Sequence, residues 1–136
     1  MPARKTAKSK PAPAASLKVR IRILCGEDNA FGPGKADLLD HLAQSPNLAQ
    51  AAQRMNMSYN KAWLLVQAMN RNFAEPLVLL TRGGSDGGKA TLTEAGRRAL
   101  QIYRQMNEAS IAAAQRGWKK MQRLLKTSER QPARFR

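Results

Sequence analysis

The spacing of hydrophobic residues changes several times along this chain, and each change predicts an element of secondary structure. In LKVRIRIL (residues 17–24), apolar and basic residues alternate, which predicts a half-buried strand with a cationic outer face. The segment GEDNAFGPG that follows is rich in turn-forming residues and predicts a loop. Residues 35–43 then space their leucines as a helix does, so they predict a helix with three inward side chains: Leu38, Leu39 and Leu42.

Two more short helices are predicted close together after this first one. Asn47 can cap the second helix, and Gln50 three residues later completes a capping-box pattern. Its apolar residues form one face, with alanines where another helix can cross closely: Leu48, Ala51, Ala52 and Met55. Ser58 is a suitable N-cap for the third helix, only about three residues further on. So short a link, followed by a polar helix, indicates a helix-turn-helix.

The third helix has two distinct faces when its residues are placed at 100° intervals. One face is apolar and should pack inward: Ala62, Val66, Met69 and Phe73, with Leu65 on its flank. The opposite face carries Asn60, Leu64, Gln67 and Arg71, bordered by Lys61 and Ala68. Tyr59 and Trp63 lie at the side, where we expect them to pack against the hairpin or the first strand; base stacking is the alternative.

The segment EPLVLLTRGGSDGGKATLT predicts a strand, a glycine turn and a second strand. Thr93 is a suitable cap for a long helix that begins at Glu94. Apolar or small residues recur along it at steps of three or four, which predicts packing against a partner helix: Ala99, Ile102, Met106, Ala109, Ala113, Gly117, Met121 and Leu124. The order strand, three helices, hairpin, helix is that of a winged helix-turn-helix, a mainly α fold with a small β component (α+β).

Charge is distributed unevenly along the 136 residues, whose formal net charge is +15. Residues 1–16 hold four basic residues and no acid, residues 17–115 hold 12 basic and 8 acidic, and residues 116–136 hold eight basic against Glu129. We therefore predict a disordered basic arm (1–16), a winged helix-turn-helix (17–93), a long C-terminal helix (94–126) and a disordered basic tail (127–136). Such an excess of positive charge favours a polyanionic partner, because phosphate neutralisation releases counterions.

Other classes of function find little support in the sequence. The single Cys25 excludes an internal disulfide and predicts a small core or strand-end residue. We predict no catalytic residues, no metal ligands and no cofactor, because one His and one Cys form no cluster at ligand spacing. Gly83 to Lys89 contains most of a phosphate-binding loop, but Ala90 replaces its hydroxyl and no helix follows. No apolar run could span a membrane and no secretory segment follows the basic start, so we expect a cytoplasmic protein.

The outer face of the third helix carries the predicted function. Asn60, Gln67 and Arg71 can make bidentate hydrogen bonds to adenine or guanine edges in a major groove. Leu64 could contact a thymine methyl group or could be an ordinary surface leucine. A polar face alone is usually solvated surface. Here it belongs to the second helix of a helix-turn-helix, precedes a glycine-tipped hairpin and lies in a cationic chain, so the sequence predicts binding to double-stranded DNA.

Two segments, FGPGKADLLDHLAQSPNLAQAAQRMNMSYNKAWLLVQAMN and EPLVLLTRGGSDGGKATLTEAG, resemble the N-terminal DNA-binding domain of the ModE family of bacterial molybdate-responsive transcriptional regulators. MSY-x-x-AW, the following MN, and GG-x-x-GG ahead of LT-x-x-G carry the resemblance, which covers roughly residues 17–106. It implies a recognition helix from Ser58 to Asn72, a wing from Arg82 to Lys89, and a dimer that binds an inverted repeat in the bacterial nucleoid. It implies no molybdate site here, because that family binds molybdate in a C-terminal region and this sequence instead ends in a basic tail.

The resemblance and the two-faced helix together assign the candidate site residues. In the recognition helix they are Ser58, Tyr59, Asn60, Lys61, Leu64, Gln67 and Arg71. In the wing they are Arg82, Gly83, Gly84, Gly87, Gly88 and Lys89, with Lys89 or Arg82 on phosphate because Asp86 would repel it. The dimerisation residues are Ile102, Met106, Ala109, Ala113, Met121 and Leu124. The predicted function is a sequence-specific, homodimeric transcriptional regulator. The alternatives are a nucleoid-type architectural protein with little sequence preference and a protein-interaction adaptor that has lost base readout.

Overall fold

The computed structural model describes residues 14–81 and 88–126. The chain divides into two compact units: residues 20–107, and residues 1–19 with 108–136. The first unit contains two antiparallel hairpins and three complete helices, followed by the first part of a fourth helix. Its order of elements is that of a winged helix-turn-helix, so the predicted α+β fold class is confirmed.

A hairpin opens the first unit, where the sequence predicted one strand and a loop. Strand β1 (Ile23–Cys25) pairs antiparallel with β2 (Asp28–Phe31), within the segment that we expected to be a loop. Gly26 takes a φ of +65° in the two-residue connection, a conformation that glycine adopts without strain, and this lets the chain fold back. The strand predicted over residues 17–24 is therefore shorter than expected as a hydrogen-bonded element. Its alternating pattern of half-buried and exposed side chains extends over all eight residues.

Helix α1 (Pro33–Gln44) begins two residues before the predicted start. Pro33 occupies its first turn, where the fixed φ of proline suits a helix and the missing N–H is not needed. The three leucines predicted to face inward are buried, and all three belong to the main hydrophobic core.

Helix α2 (Leu48–Arg54) is capped as predicted: the Asn47 side chain accepts a hydrogen bond from the Gln50 N–H at 2.9 Å. At its other end Asn56 adopts a left-handed φ of +56°. The N–H of Met57 donates to the Ala52 carbonyl at 3.0 Å and that of Asn56 to the Gln53 carbonyl at 3.1 Å, which is a Schellman motif. This turn ends α2 abruptly and fixes the direction in which the chain leaves it.

Helix α3 (Tyr59–Asn72) and the second hairpin complete the helix-turn-helix and its wing. Strand β3 (Val78–Thr81) pairs antiparallel with β4 (Lys89–Leu92), Val78 opposite Leu92 and Thr81 opposite Lys89. The predicted strand, glycine turn and strand are thus confirmed in their described part. Residues 82–87, between the strands, lie outside the described residues.

Helix α4 (Glu94–Leu124) begins at the predicted cap, because the Thr93 hydroxyl accepts a hydrogen bond from the Gly96 N–H at 2.9 Å. Tyr103 anchors its first part: the ring packs edge-on against Phe31 at 5.0 Å, and the hydroxyl donates to the Ile21 carbonyl at 2.8 Å. The core of the first unit gathers side chains from both hairpins and all four helices: Phe31, Leu38, Leu39, Leu48, Ala52, Val66, Met69, Leu77, Val78 and Tyr103.

In the second unit the described residues are 14–19 and 108–126. The part of α4 that belongs to it buries Trp118, and Ile111 and Ala114 lie half-buried at helical spacing from that ring. No helix in the described part of the chain is both long and apolar enough to cross a membrane.

Candidate nucleic-acid interface

The orientation of α3 is set by its inner face. Ala62, Val66 and Met69 are completely buried and belong to the core, as the sequence predicted, while Phe73 and Leu65 are half-buried against it. The N-terminus of α3 is held by the Ser58 hydroxyl, which accepts a hydrogen bond from the Lys61 N–H at 3.0 Å. With three inner side chains fully removed from water, the helix cannot rotate about its axis without exposing apolar surface.

The opposite face of α3 points to solvent. Asn60, Lys61, Leu64 and Arg71 are exposed and Gln67 is half-buried. From Asn60 to Arg71 this face runs along the helix for about 16 Å, at 1.5 Å per residue. Amide, ammonium and guanidinium groups therefore line one accessible strip. An α-helix fits into the major groove of B-DNA.

Tyr59 and Trp63 are more exposed than the predicted packing against the wing or the first strand implies. Tyr59 is 54% exposed and Trp63 38% exposed. Trp63 lies about 60° round the helix from Asn60 and about 60° from the completely buried Val66, so it occupies the border between the polar strip and the inner face. Both aromatic rings therefore flank the polar strip and enlarge the accessible surface of α3.

Asn70 joins α3 to the start of the second hairpin. Its side-chain Nδ2 donates to the Val78 carbonyl at 2.8 Å, and its Oδ1 accepts from the Leu77 N–H at 2.8 Å and from the Val78 N–H at 3.3 Å. One side chain thus satisfies backbone hydrogen-bonding groups of Leu77 and Val78 at the start of β3. Sequence analysis assigned Asn70 no role, because an asparagine in the last turn of a polar helix has many ordinary positions on a surface.

The C-terminal end of the strip is held by an acid from the first hairpin. Arg71 donates from Nε to Asp28 Oδ2 at 2.9 Å and from Nη2 to Asp28 Oδ1 at 3.3 Å. Asn72 Nδ2 donates to the same Oδ2 at 2.7 Å. Hydrogen bonds from Arg71 and Asn72 lower the pKa of Asp28 to about 2, so this carboxylate is ionised at neutral pH. Sequence analysis did not find Asp28, because it lies 43 positions before Arg71 in the chain.

Lys35 adds a second cation beside this pair. It lies in the first turn of α1 and is the one charged side chain counted as buried in the described residues. Burial lowers the pKa of Lys35, and the nearby Asp28 carboxylate opposes that effect. Asp28 therefore faces positive charge from two helices, α1 and α3.

The described part of the wing contains two of its six predicted contact residues. Gly88 has a φ of +116°, a conformation strained for any side chain, and Lys89 is exposed at the start of β4. The other four, Arg82, Gly83, Gly84 and Gly87, lie outside the described residues. In the described part of the wing, Lys89 therefore places a positive charge at the start of β4.

The predicted dimerisation residues are exposed within a single chain. In the first unit Ile102 is 49% and Met106 39% exposed, and in the second unit Met121 is 53% and Leu124 81% exposed; Ala109 and Ala113 are exposed as well. The buried residues of α4 are others, namely Gly96, Tyr103 and Trp118.

Within residues 14–81 and 88–126, no cluster of three or more His, Cys, Asp or Glu could hold a metal ion.

Comparisons with known proteins match this part of the chain. The family model described as "Bacterial regulatory helix-turn-helix protein, lysR family" matches residues 35–97, from α1 through the wing to the first turn of α4. The chain is 38% identical over 71 residues to the DNA-binding transcriptional dual regulator ModE of Escherichia coli (strain K12), covering 52% of this chain and 27% of that protein. This helix-turn-helix domain is ModE-like.

Two further relatives extend the similarity. The molybdenum transport protein ModE of Azotobacter vinelandii is 36% identical over 91 residues, which are 67% of this chain and 34% of that protein. The molybdenum-pterin-binding protein MopB of Rhodobacter capsulatus is 37% identical over 82 residues, 60% of this chain and 30% of that protein. The chain thus spans about a third or less of the length of these relatives. The resemblance seen in the sequence is confirmed for the helix-turn-helix domain.

Proposed function

We propose that this protein is a sequence-specific DNA-binding transcriptional regulator that places α3 in the major groove and the wing on the DNA backbone or in the minor groove. The observation that carries the proposal is the outer face of α3, where exposed Asn60 and Arg71 and half-buried Gln67 line one accessible strip. Amide and guanidinium groups can distinguish adenine and guanine by paired hydrogen bonds. The regulator named in Escherichia coli and the matched family of bacterial regulatory proteins support this reading.

An architectural protein with little sequence preference is the less favoured alternative. It would need positive charge and a shape that fits DNA, and both are present here. It would not need base-reading amides on a helix held rigidly by three fully buried side chains. The similarity to proteins named as transcriptional regulators also favours the specific function. We assign no catalytic residue, no cofactor and no molybdate site to this chain. We propose that the protein acts on DNA in the bacterial cytoplasm.

Selection of bound duplexes from a random pool, followed by competition binding, tests this proposal. We expect one sequence to be recovered and to bind about 10³-fold or more tightly than random DNA at physiological salt. An architectural protein would recover no common sequence and would lose affinity for all duplexes alike as salt rises. Recovery of no preferred sequence would reject the regulator proposal.

We also propose that the protein acts as a homodimer and that its target is an inverted repeat. The support is the exposed apolar side chains of α4, which are Ile102 and Met106 in the first unit and Met121 and Leu124 in the second. Medium and large apolar side chains repeating at three and four residues are suited to pack against the same helix of a second copy. Two bound copies would place two recognition helices about one helical turn of DNA apart.

Sedimentation at several protein concentrations measures this association. Met106→Lys should shift the protein to monomer, because it places a charge in the proposed interface. Gln105→Lys is the matched control, since Gln105 is exposed on the adjacent side of the same helix turn. A wild-type protein that is monomeric at the concentrations where it binds DNA would reject the homodimer.

A further inference from the structure

The contact between Asp28 and Arg71 uses only one edge of the guanidinium group. Asp28 accepts from Nε at 2.9 Å and from Nη2 at 3.3 Å, which together form the side edge of the fork. Arginine has five N–H donors in a fixed plane. The terminal edge, with one N–H from Nη1 and one from Nη2, remains unused by Asp28. The Arg71 side chain is 59% exposed, so this terminal edge can reach a partner outside the protein.

Asp28 is itself fixed to the helix that it serves. Asn72 Nδ2 donates to Asp28 Oδ2 at 2.7 Å and to the Ala68 carbonyl at 2.8 Å, so it links the carboxylate to the backbone of α3. The β1–β2 hairpin holds the backbone of Asp28 from the other side. The carboxylate that accepts from the side edge of the guanidinium is therefore itself anchored at two places, which restricts the orientation of the guanidinium before a ligand arrives. Preorganisation of this kind reduces the cost of binding.

The place and the charge of the pair select the kind of ligand. Arg71 lies on the same side of α3 as Asn60 and Gln67, so its terminal edge belongs to the strip that would face base edges. Asp28 is ionised, and its negative charge offsets that of the guanidinium. Lys35 adds a positive charge beside the pair, so the offset weakens the attraction of Arg71 for phosphate without removing it. What favours a base is the terminal edge of Arg71, whose two directional N–H donors suit a neutral pair of acceptors such as N7 and O6 of guanine.

We propose that Asp28 is a positioning residue that holds Arg71 for bidentate readout of a guanine, and that it thereby determines specificity without touching the DNA. This inference rests on the proposed function, because it requires a preferred target sequence. It differs from that function in assigning one base position to a pair of residues, one of which lies on a β-hairpin outside the helix-turn-helix.

Binding of the full chain to its selected duplex, to the same duplex with each G·C pair replaced in turn, and to random DNA tests this assignment. The variants are Arg71→Ala, Asp28→Ala and the double variant. The matched controls are Arg104→Ala and Asp40→Ala, which remove another arginine–aspartate pair, between α4 and α1. Thermal unfolding establishes that each variant is folded.

Arg71→Ala should reduce discrimination roughly 5- to 150-fold at one G·C position and leave the other positions unchanged; this range is ~1–3 kcal/mol converted at 1.4 kcal/mol per tenfold. Asp28→Ala should reduce discrimination at that same position, while binding random DNA as tightly as wild type or more tightly, because it removes a negative charge. The double variant should discriminate no worse than Arg71→Ala, since Asp28 acts through Arg71. The two control variants should leave base preference intact.

Several results would overturn the inference. Arg71→Ala could weaken all duplexes by one factor and lower the salt dependence by about one phosphate, which would identify a backbone contact. Asp28→Ala could leave discrimination at every position as in wild type. If Asp28→Ala is unfolded, Asp28→Asn, which keeps one acceptor oxygen, must show intermediate discrimination at the same position. A wild-type protein that selects no sequence would instead reject the proposed function, and the two failures are therefore distinct.

Discussion

Gly96→Ala tests how closely the start of α4 packs against Leu77 and Leu92, at the base of the second hairpin. A Cβ atom at Gly96 would lie 2.3 Å from the Leu77 carbonyl oxygen and 2.5 Å from Leu92 Cδ1. Carbon–oxygen contacts of this kind normally begin at about 3.3 Å, so the helix must move away from the Leu77 backbone by about 1 Å. The obstacle at Leu77 is backbone, which cannot be rotated aside as a side chain can. Overpacking of this kind costs about 1–3 kcal/mol.

Helix propensity acts in the opposite direction and sets the control. Alanine is favoured over glycine inside a helix by up to about 1 kcal/mol, so a net destabilisation of about 1–2 kcal/mol is expected for Gly96→Ala. For a domain of this size that corresponds to a fall in Tm of roughly 5–15 °C. Gly117→Ala is the matched control in the same helix, because nothing lies within 4 Å of its added Cβ. It should unfold at the same temperature as wild type or higher.

Thermal unfolding followed by circular dichroism measures both variants, at a concentration where sedimentation shows the same oligomeric state for each. A Gly96→Ala protein as stable as wild type, beside a stabilised Gly117→Ala protein, would refute the close approach of α4 to Leu77. Destabilisation of both variants by the same amount would instead indicate a general intolerance of substitution in α4.

Two further predictions concern the supports of α3. The pKa of Asp28 falls from 3.8 to about 2 on folding, so its contribution to stability is present above about pH 4 and is lost as pH falls through about 2. The unfolding free energy of Asp28→Asn should therefore vary less with pH than that of wild type between pH 4 and 2. Equal pH dependence of the two proteins would contradict the ion pair with Arg71. Asn70→Asp should destabilise the protein at neutral pH by about 1–3 kcal/mol, because it removes the donor to the Val78 carbonyl and places a carboxylate against that oxygen. Asn60→Asp, on the exposed face of α3, is the control. Equal stability of both variants in chemical denaturation would show that the Asn70 contacts do not hold the second hairpin.

Local patterns in the sequence were sufficient for most of the fold. The caps at Asn47, Ser58 and Thr93 and the inward face of α3 depend on neighbours three or four residues away, and each was predicted correctly. The β1–β2 hairpin was missed because its strands are only three and four residues long, and one lies in a segment rich in turn-forming residues. There a single glycine conformation at Gly26 matters more than the composition of the segment.

The candidate site was predictable only where it depends on one helix. Periodicity identified the outer face of α3, and its side chains, its place in a helix-turn-helix and the cationic chain predicted its role before the resemblance to the ModE family supported that role. Asp28 and Asn70 could not be found in this way, because their partners come from other elements that tertiary folding brings together. Tyr59 and Trp63 are more exposed than predicted, since periodicity gives the direction of a side chain but not the extent of the surface that covers it.

The central claim, that the outer face of α3 reads base pairs, is tested most directly by one ratio. This is the dissociation constant of Gln67→Ala relative to wild type, measured on the selected duplex and on random DNA. We expect the selected duplex to lose about 1–3 kcal/mol of binding free energy, localised at one base position, while binding to random DNA is unchanged. Equal losses on both duplexes, or no loss on either, would contradict the claim.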